Sequence, residues 1–484
     1  MSMIGLFISA LLSVPALAVG ENCQAPSTLW EQHMCQVATN PTKYQALCTP
    51  KRQFPGSATS YDSLPAGSVN GVVVMYHGFT ACPDAFNEMA ATLNQAGYIT
   101  VIPLLPGQGV KLGFGCDVAG TCVPSGVNPS FLPQGKQGYY DFVSHVNDIV
   151  NQELSFIPAA AKADNFQVTA LGLSLGGALT LAAAQQPNSP IQKIMNVNPY
   201  MVSAVPNLDF MIENCLTQSD PAGCITSNFF KPQVANITSL PHVFGFALPF
   251  INAAATQSEN LAAKLLQATV GKELAFRYDG FMSEFLKAAT FIGNTPAVLG
   301  TAPFKTPYGW GQGCINEAPT RGGYCEFHIS DLFVLQAFTS SVMGGLDKIP
   351  NTIQYADIHS DMDGASRDSV SFTIVSKLQS QGIHASRCHF PLQCSLSKME
   401  FSDNLCGAPH SCFSHAEAAH NAPFTLYWEP SLFSNILGFI GGSKTTVGVS
   451  GPATDGSVCY TTTTTIQAGA MFDNIGTKYL ANSQ

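Results

Sequence analysis

Between Gly71 and Val197 the chain repeats one pattern: a short, mostly apolar run, a turn, then a longer stretch with helical spacing. Gly71-Val-Val-Val-Met-Tyr76 has no polar position, which is how a parallel strand covered on both faces reads. Residues 84–95 carry apolar side chains at helical intervals and stop at Gly97. Tyr98-Ile-Thr-Val-Ile102 predicts a second strand, ended by Pro103, and 139–154 an amphipathic helix. Gln167-Val-Thr-Ala-Leu171 predicts a third strand, 177–186 a helix closed by Pro187, and Ile194-Met-Asn-Val197 a fourth strand. Strands alternating with helices at this spacing imply βαβ units and a doubly wound, mostly parallel sheet, so the fold class is α/β.

The alternation lapses between 200 and 345. That stretch holds aromatic clusters (Phe229-Phe230, Phe244, Phe246, Phe250) and helical patterns at 258–269 and 280–291, with no clear strand. A mostly helical insertion is expected there. Sheet periodicity returns at 352–356, followed by a helix at 369–381 and a strand near 398–401. Leu432, Phe433, Ile436, Leu437 and Ile440 share one helical face and are expected to pack on the core. The tail at 445–468 alternates around a turn at 451–456, which predicts a hairpin with 461–465 as an exposed edge. The expected segments are therefore a leader at 1–18, a Cys-containing stretch at 19–69, core at 70–199, the insertion at 200–345, core again at 346–442, and a hairpin tail at 443–484.

Composition narrows the class. Apolar residues make up 46% and charged residues only 11%, against about 25% charged in ordinary soluble domains. The surface must then be covered largely by uncharged polar residues. The 31 acidic and 21 basic residues are dispersed with no Lys/Arg run, which argues against nucleic acid as a partner. Ile4 to Val14 is apolar and is followed by Pro15 and Ala16-Leu17-Ala18, the pattern of a secretory signal cut after Ala18. No Lys or Arg precedes the run, so an uncleaved membrane anchor is the competing reading. Fifteen cysteines also favour an extracytoplasmic, oxidising location. Proximity suggests local loops at 116/122, 215/224, 314/325, 388/394 and 406/412. Cys23, Cys35, Cys48, Cys82 and Cys459 are left for two further bridges and one odd thiol, with connectivity open.

One pentapeptide carries the chemistry. Gly172-Leu173-Ser174-Leu175-Gly176 joins the third strand to its helix, and a serine between glycines on such a turn is a nucleophile elbow. A serine hydroxyl needs an imidazole to take its proton and a carboxylate to orient that imidazole. Asp357, Asp361, Asp363 and Asp368 all lie near the end of the strand at 352–356; Asp363 is favoured as the acid, with Asp361 second. His415, in Cys412-Phe413-Ser414-His415, is the expected base, ahead of His420, His410, His384 and His389. His415, Glu417 and His420 lack an H-E-x-x-H arrangement, so no metal and no cofactor are expected. The oxyanion donors should be the amides of Leu175, directly after the nucleophile, and Phe79, in the His77-Gly78-Phe79-Thr80 loop.

These residues resemble the α/β-hydrolases of the carboxylesterase and monoacylglycerol-lipase branch. That branch pairs a His-Gly-Phe-type loop with a Gly-Leu-Ser-x-Gly-Gly elbow, and Pro103-Leu-Leu-Pro-Gly-Gln-Gly109 is similar to its Pro-Gly-His-Gly loop with Gln108 at the histidine position. The resemblance covers about 70–200 and 350–440, and it implies a Ser174–His415–Asp363 triad, oxyanion amides at Phe79 and Leu175, and a lid at 200–345. It implies an esterase or lipase whose partner is a small-molecule or lipid acyl ester, the latter with transient lipid-surface contact. A peptidase or amidase similar to the proline-iminopeptidase branch is the second reading and a silent esterase-like binding protein the third. Oligomeric state is left open.

Overall fold

The computed structural model describes residues 26–38, 49–79, 81–105, 135–201, 287, 290–295, 307–309, 326–360, 368–390, 436–441 and 458–460. Its strands are β1 (Lys51–Gln53), β2 (Val69–Tyr76), β3 (Tyr98–Ile102), β4 (Lys162–Leu173), β5 (Lys193–Val197), β6 (Pro307–Gly309), β7 (Glu326–His328), β8 (Gln354–Ser360), β9 (His384–Phe390) and β10 (Val458–Tyr460). Its longer helices are α1 (Leu29–Ala38), α2 (Asn87–Gln95), α3 (Lys136–Phe156), α4 (Leu175–Ala184), α5 (Ile329–Gly344) and α6 (Asp368–Ser380).

The main sheet runs β1-β3-β2-β4-β5-β8-β9-β10. From β3 to β9 neighbouring strands are parallel, and only β1 and β10 at the two edges are antiparallel. The chain steps outward from β2 to β3 and then returns past β2 to β4. Strand order therefore reverses between β2 and β4, the kind of position where open α/β sheets place their ligand crevice. At its carboxyl end Tyr76 is paired with Gly172, so the residues that follow, His77 and Ser174, leave the sheet side by side.

Alternation along β2 divides the core between two faces, as period-two side-chain placement requires. Val72, Val74 and Tyr76 pack with residues of α3, α4, α5 and α6. Val73 and Met75 pack with Phe86, Met89 and Leu93 near α2, and with Ile436, Phe439 and Ile440 of a helical turn at 436–440. The expected core-facing stripe at 432–440 is met there at Ile436 and Ile440, while Leu432 and Phe433 lie outside the described residues. Burying this much of a sheet on both faces accounts for the apolar composition.

Several expectations need correction. The range 200–345 contains a two-stranded antiparallel sheet, β6 with β7, where no strand was expected. Pro-Tyr-Gly and Glu-Phe-His are too short to display an alternation. Strand β9, His384-Ala-Ser-Arg-Cys-His-Phe390, was also not expected, because its interior positions are polar: Ser386 and Arg387 are buried. The strand anticipated near 398–401 lies outside the described residues, as do the leader at 1–18, the helical pattern at 258–269 and the edge at 461–465. In the tail, Val458–Tyr460 pairs with β9 and so extends the main sheet.

Candidate active site

Ser174 sits between β4 and α4 with φ 57° and ψ −122°. A non-glycine residue in this region is strained and persists only when its surroundings over-determine it. Here three backbone hydrogen bonds do so. The Ser174 N–H donates to the Val197 carbonyl at 3.0 Å, and the Ser174 carbonyl accepts from Gly177 N at 2.8 Å and Tyr200 N at 2.9 Å. The flanking glycines are required by contact. A Cβ on Gly176 would overlap the Tyr76 carbonyl oxygen, one on Gly172 the Gly176 carbonyl, and one on Gly177 the Pro199 ring. β2, the elbow and the start of α4 are in backbone-to-backbone contact that no side chain could enter.

The loop after β2 lies directly against this serine. A Cβ placed on Gly78 would stand 3.2 Å from Ser174 Cβ and 3.6 Å from Ser174 Oγ. Leu175 is fully buried as the first residue of α4, so its amide belongs to the helix end that has no intrahelical acceptor. Phe79, the other expected donor, is partly buried and packs against the core. The structure thus brings Ser174, Leu175 and the 77–79 loop to one point.

His77 fixes the loop's geometry. It is buried, and its Nε2 accepts a hydrogen bond from Leu105 N at 3.2 Å. A neutral ring that accepts at Nε2 carries its proton on Nδ1, so Nδ1, 2.9 Å away, donates to the Gly78 carbonyl. Ala81 N donates to the same oxygen at 3.2 Å. The peptide joining Gly78 to Phe79 is planar and trans, so holding its carbonyl also fixes the opposite direction for the Phe79 N–H. Burial lowers the His77 pKa to about 4, only partly offset by the bond to Gly78, and keeps the ring neutral. The sequence places His77 in the His-Gly-Phe loop expected to supply an oxyanion amide, but gives its side chain no role of its own.

Asp363, Asp361, His415, His410 and His420 lie outside the described residues. β8 ends at Ser360 and β9 at Phe390, both at the carboxyl end of the parallel strands, the end at which Ser174 follows β4. His384 is instead at the start of β9, exposed and paired with Gln354, at the far end of the sheet from the serine. His389 is near the other end of that strand, paired with His359. Asp368 opens α6.

Asp357 is committed elsewhere. It is fully buried, and its Oδ2 accepts from Tyr355 Oη at 3.0 Å and Ser371 Oγ at 2.5 Å. Arg387 Nε donates to Ser371 Oγ at 3.0 Å. Desolvation pushes the Asp357 carboxyl up, while nearby His359, Arg387 and the two hydroxyls oppose it. Asn196 continues the chain: its Nδ2 donates to Tyr355 Oη at 3.4 Å, and the Thr180 hydroxyl of α4 donates to its Oδ1 at 2.7 Å. A buried polar line therefore crosses from the elbow helix through β5 and β8 to α6 and β9. Above it Asn198, at φ 43°, donates its N–H to the Ile358 carbonyl at 2.7 Å and ties β5 to β8 beside the elbow.

A parallel sheet whose order reverses at β2/β4, with a strained serine between β4 and a buried helix, is the arrangement of one fold. The chain has an α/β-hydrolase fold. No protein-family model matches the sequence, and no curated protein matches it. Among solved structures it is similar to a monoacylglycerol lipase from Paleococcus ferrophilus, with a TM-score of 0.39 and 10% identity over 82% of this chain and 98% of that one. It is also similar to a soluble variant of the Saccharomyces cerevisiae monoglyceride lipase, with a TM-score of 0.38 and 11% identity over 81% and 90% of the two chains. For a thermostable carboxyl esterase from Bacillus coagulans the TM-score is 0.35, with 13% identity over 71% and 85%.

Proposed function

We propose that this protein is an exported serine hydrolase of carboxylic esters, an esterase or lipase acting on small-molecule or lipid acyl esters. The observation that carries the reading is the strained Ser174 between overlapping backbones, with the His77-clamped 77–79 loop against its side chain. In the proposed reaction His415 takes the proton of Ser174 as Oγ attacks the acyl carbon, and Asp363 holds the resulting imidazolium. The amides of Phe79 and Leu175 stabilise the oxyanion. Its collapse expels the alkoxide, which takes the proton from His415 and leaves an acyl-enzyme. Water then attacks, giving up its proton to His415, and the second collapse frees the acid and returns Ser174.

Fluorophosphonate labelling tests this directly. The wild type should incorporate one label and Ser174→Ala none; labelling that survives the substitution removes the elbow from the mechanism. His415→Ala should lower p-nitrophenyl ester turnover by about four orders of magnitude or more. Asp363→Ala should fall much further than Asp361→Ala. An acyl-length series distinguishes esterase from lipase, and comparable turnover of aminoacyl amides would instead favour an amidase.

A further inference from the structure

The N-terminal helix reaches the loop beside Ser174 through two buried imidazoles. α1 is held by its own cap: Glu31 Oε2 accepts from Ser27 N at 2.7 Å and Thr28 N at 3.2 Å, and Thr28 Oγ1 accepts from Glu31 N at 3.1 Å. Gln152 of α3 accepts the Leu29 N–H at 2.7 Å. This sets His33 in the interior, 4% exposed, with ring centroids 5.9 Å from Trp30, 6.3 Å from Phe142 and 6.1 Å from His145. His33 Nε2 accepts from Leu104 N at 3.2 Å, and the next amide, Leu105 N, donates to His77 Nε2 at the same distance. Two successive backbone amides just past β3 are thus each capped by a buried histidine, one on α1 and one in the candidate oxyanion loop. Leu104 also packs against Cys82, on the far side of that loop. Cys35 of α1 and Cys82 are both disulfide-bonded.

We infer that His33 is a positioning residue for the oxyanion loop, acting through Leu104, Leu105 and His77 on the Gly78–Phe79 peptide. The inference rests on the hydrolase reading above. Its logic is geometric. His77 can aim the Phe79 N–H only while its own ring is held, and the ring is held by the Leu105 amide. The placement of that amide depends on the neighbouring residue, whose N–H His33 accepts. If His33 loses the acceptor, a buried Leu104 N–H is left unsatisfied, and the 103–105 segment shifts to find a partner. Misplacement by about 1 Å at a catalytic donor costs on the order of a hundredfold in rate. Burial, reinforced by His145, lowers the His33 pKa to about 3, so the ring remains an acceptor at neutral pH.

The test compares three substitutions in the full chain with p-nitrophenyl butyrate, after fluorophosphonate labelling of wild type and Ser174→Ala. His33→Leu should lower kcat by about ten- to a hundredfold with KM changed by less than about threefold. His33→Gln, whose Oε1 can stand near Nε2, should stay within about threefold of wild type, whereas His33→Asn, one carbon shorter, should fall with Leu. Should His33→Leu fail to fold, the Gln and Asn pair decides. Hydrogen exchange in His33→Leu or His33→Asn should accelerate over 103–105 and 77–79. Equal activity in all folded variants, equal loss in Gln and Asn, or faster exchange confined to α1 would overturn the link. A wild type that takes no label would overturn the hydrolase reading instead, and the exchange data would then judge the link by itself.

Discussion

The β4–α4 elbow and the β8–α6–β9 flank are packed with opposite materials. α4 is Leu-Gly-Gly-Ala-Leu-Thr-Leu-Ala-Ala-Ala, buried at every position, and its contact with β2 depends on side chains that are absent. The flank buries Asp357, His359, Ser371, Ser386 and Arg387, and there cohesion comes from hydrogen bonds between residues far apart in the chain. A site built on closeness of backbones tolerates no added atom, whereas one built on polar partners tolerates no lost atom. Thr180 and Asn196 are where the two modes meet.

Adding a methyl group to the elbow should have the largest effect. Gly176→Ala sets a Cβ against the Tyr76 carbonyl, in the β2 strand that the elbow abuts. The expected cost exceeds about 4 kcal/mol, an exceptional value for a single substitution, read as loss of soluble folded protein and of fluorophosphonate labelling. Normal folding would show that the elbow has slack. On the flank, Asp357→Ala removes an acceptor from Tyr355 and Ser371 and leaves Arg387 in the interior without it. Chemical denaturation should show a loss of about 3–5 kcal/mol, while the molecules that remain folded still take label at Ser174. Loss of labelling in the folded fraction would move Asp357 into the reaction.

The two histidines next to the elbow sharpen the contrast, being polar groups on the apolar side. Burial lowers His33 from 6.5 to about 3 and His77 from 6.5 to about 4. The unfolded chain therefore binds more protons than the folded one in that interval, and their contribution is complete above about pH 6.5 and lost as pH falls toward 4. Thermal melting should drop between pH 7 and pH 5, and His33→Gln should flatten the slope. A variant slope equal to wild type would place the acid sensitivity elsewhere. The smallest expected change is Gly344→Ala, where nothing lies within 4 Å of the added Cβ. It should alter stability by less than about 1 kcal/mol, and a larger loss would mean that backbone closeness reaches α5 as well.

What could be read from the sequence follows the same division. Strands β2, β3, β4 and β5 announce themselves as mostly apolar runs because parallel strands covered on both faces carry few polar residues. The elbow is visible because its glycines are a steric necessity confined to a few consecutive positions. β9 is invisible to the same reasoning, since Arg387 is a core residue whose partner Ser371 lies sixteen positions earlier in the chain. The proposed link from His33 to the 77–79 loop is hidden for a related reason. His33 differs in no local feature from a surface histidine, and only the fold brings Leu104 and Leu105 between it and His77.

Strand β10 pairs along β9, yet it lies far downstream: β9 ends at Phe390 and β10 begins at Val458. During synthesis the hydrogen bonds between β9 and β10 cannot form until that late segment has emerged, and such long-range pairing is slow to form. A shortened product ending before 458 would lack those hydrogen bonds, and strand edges left unpaired favour edge-to-edge association.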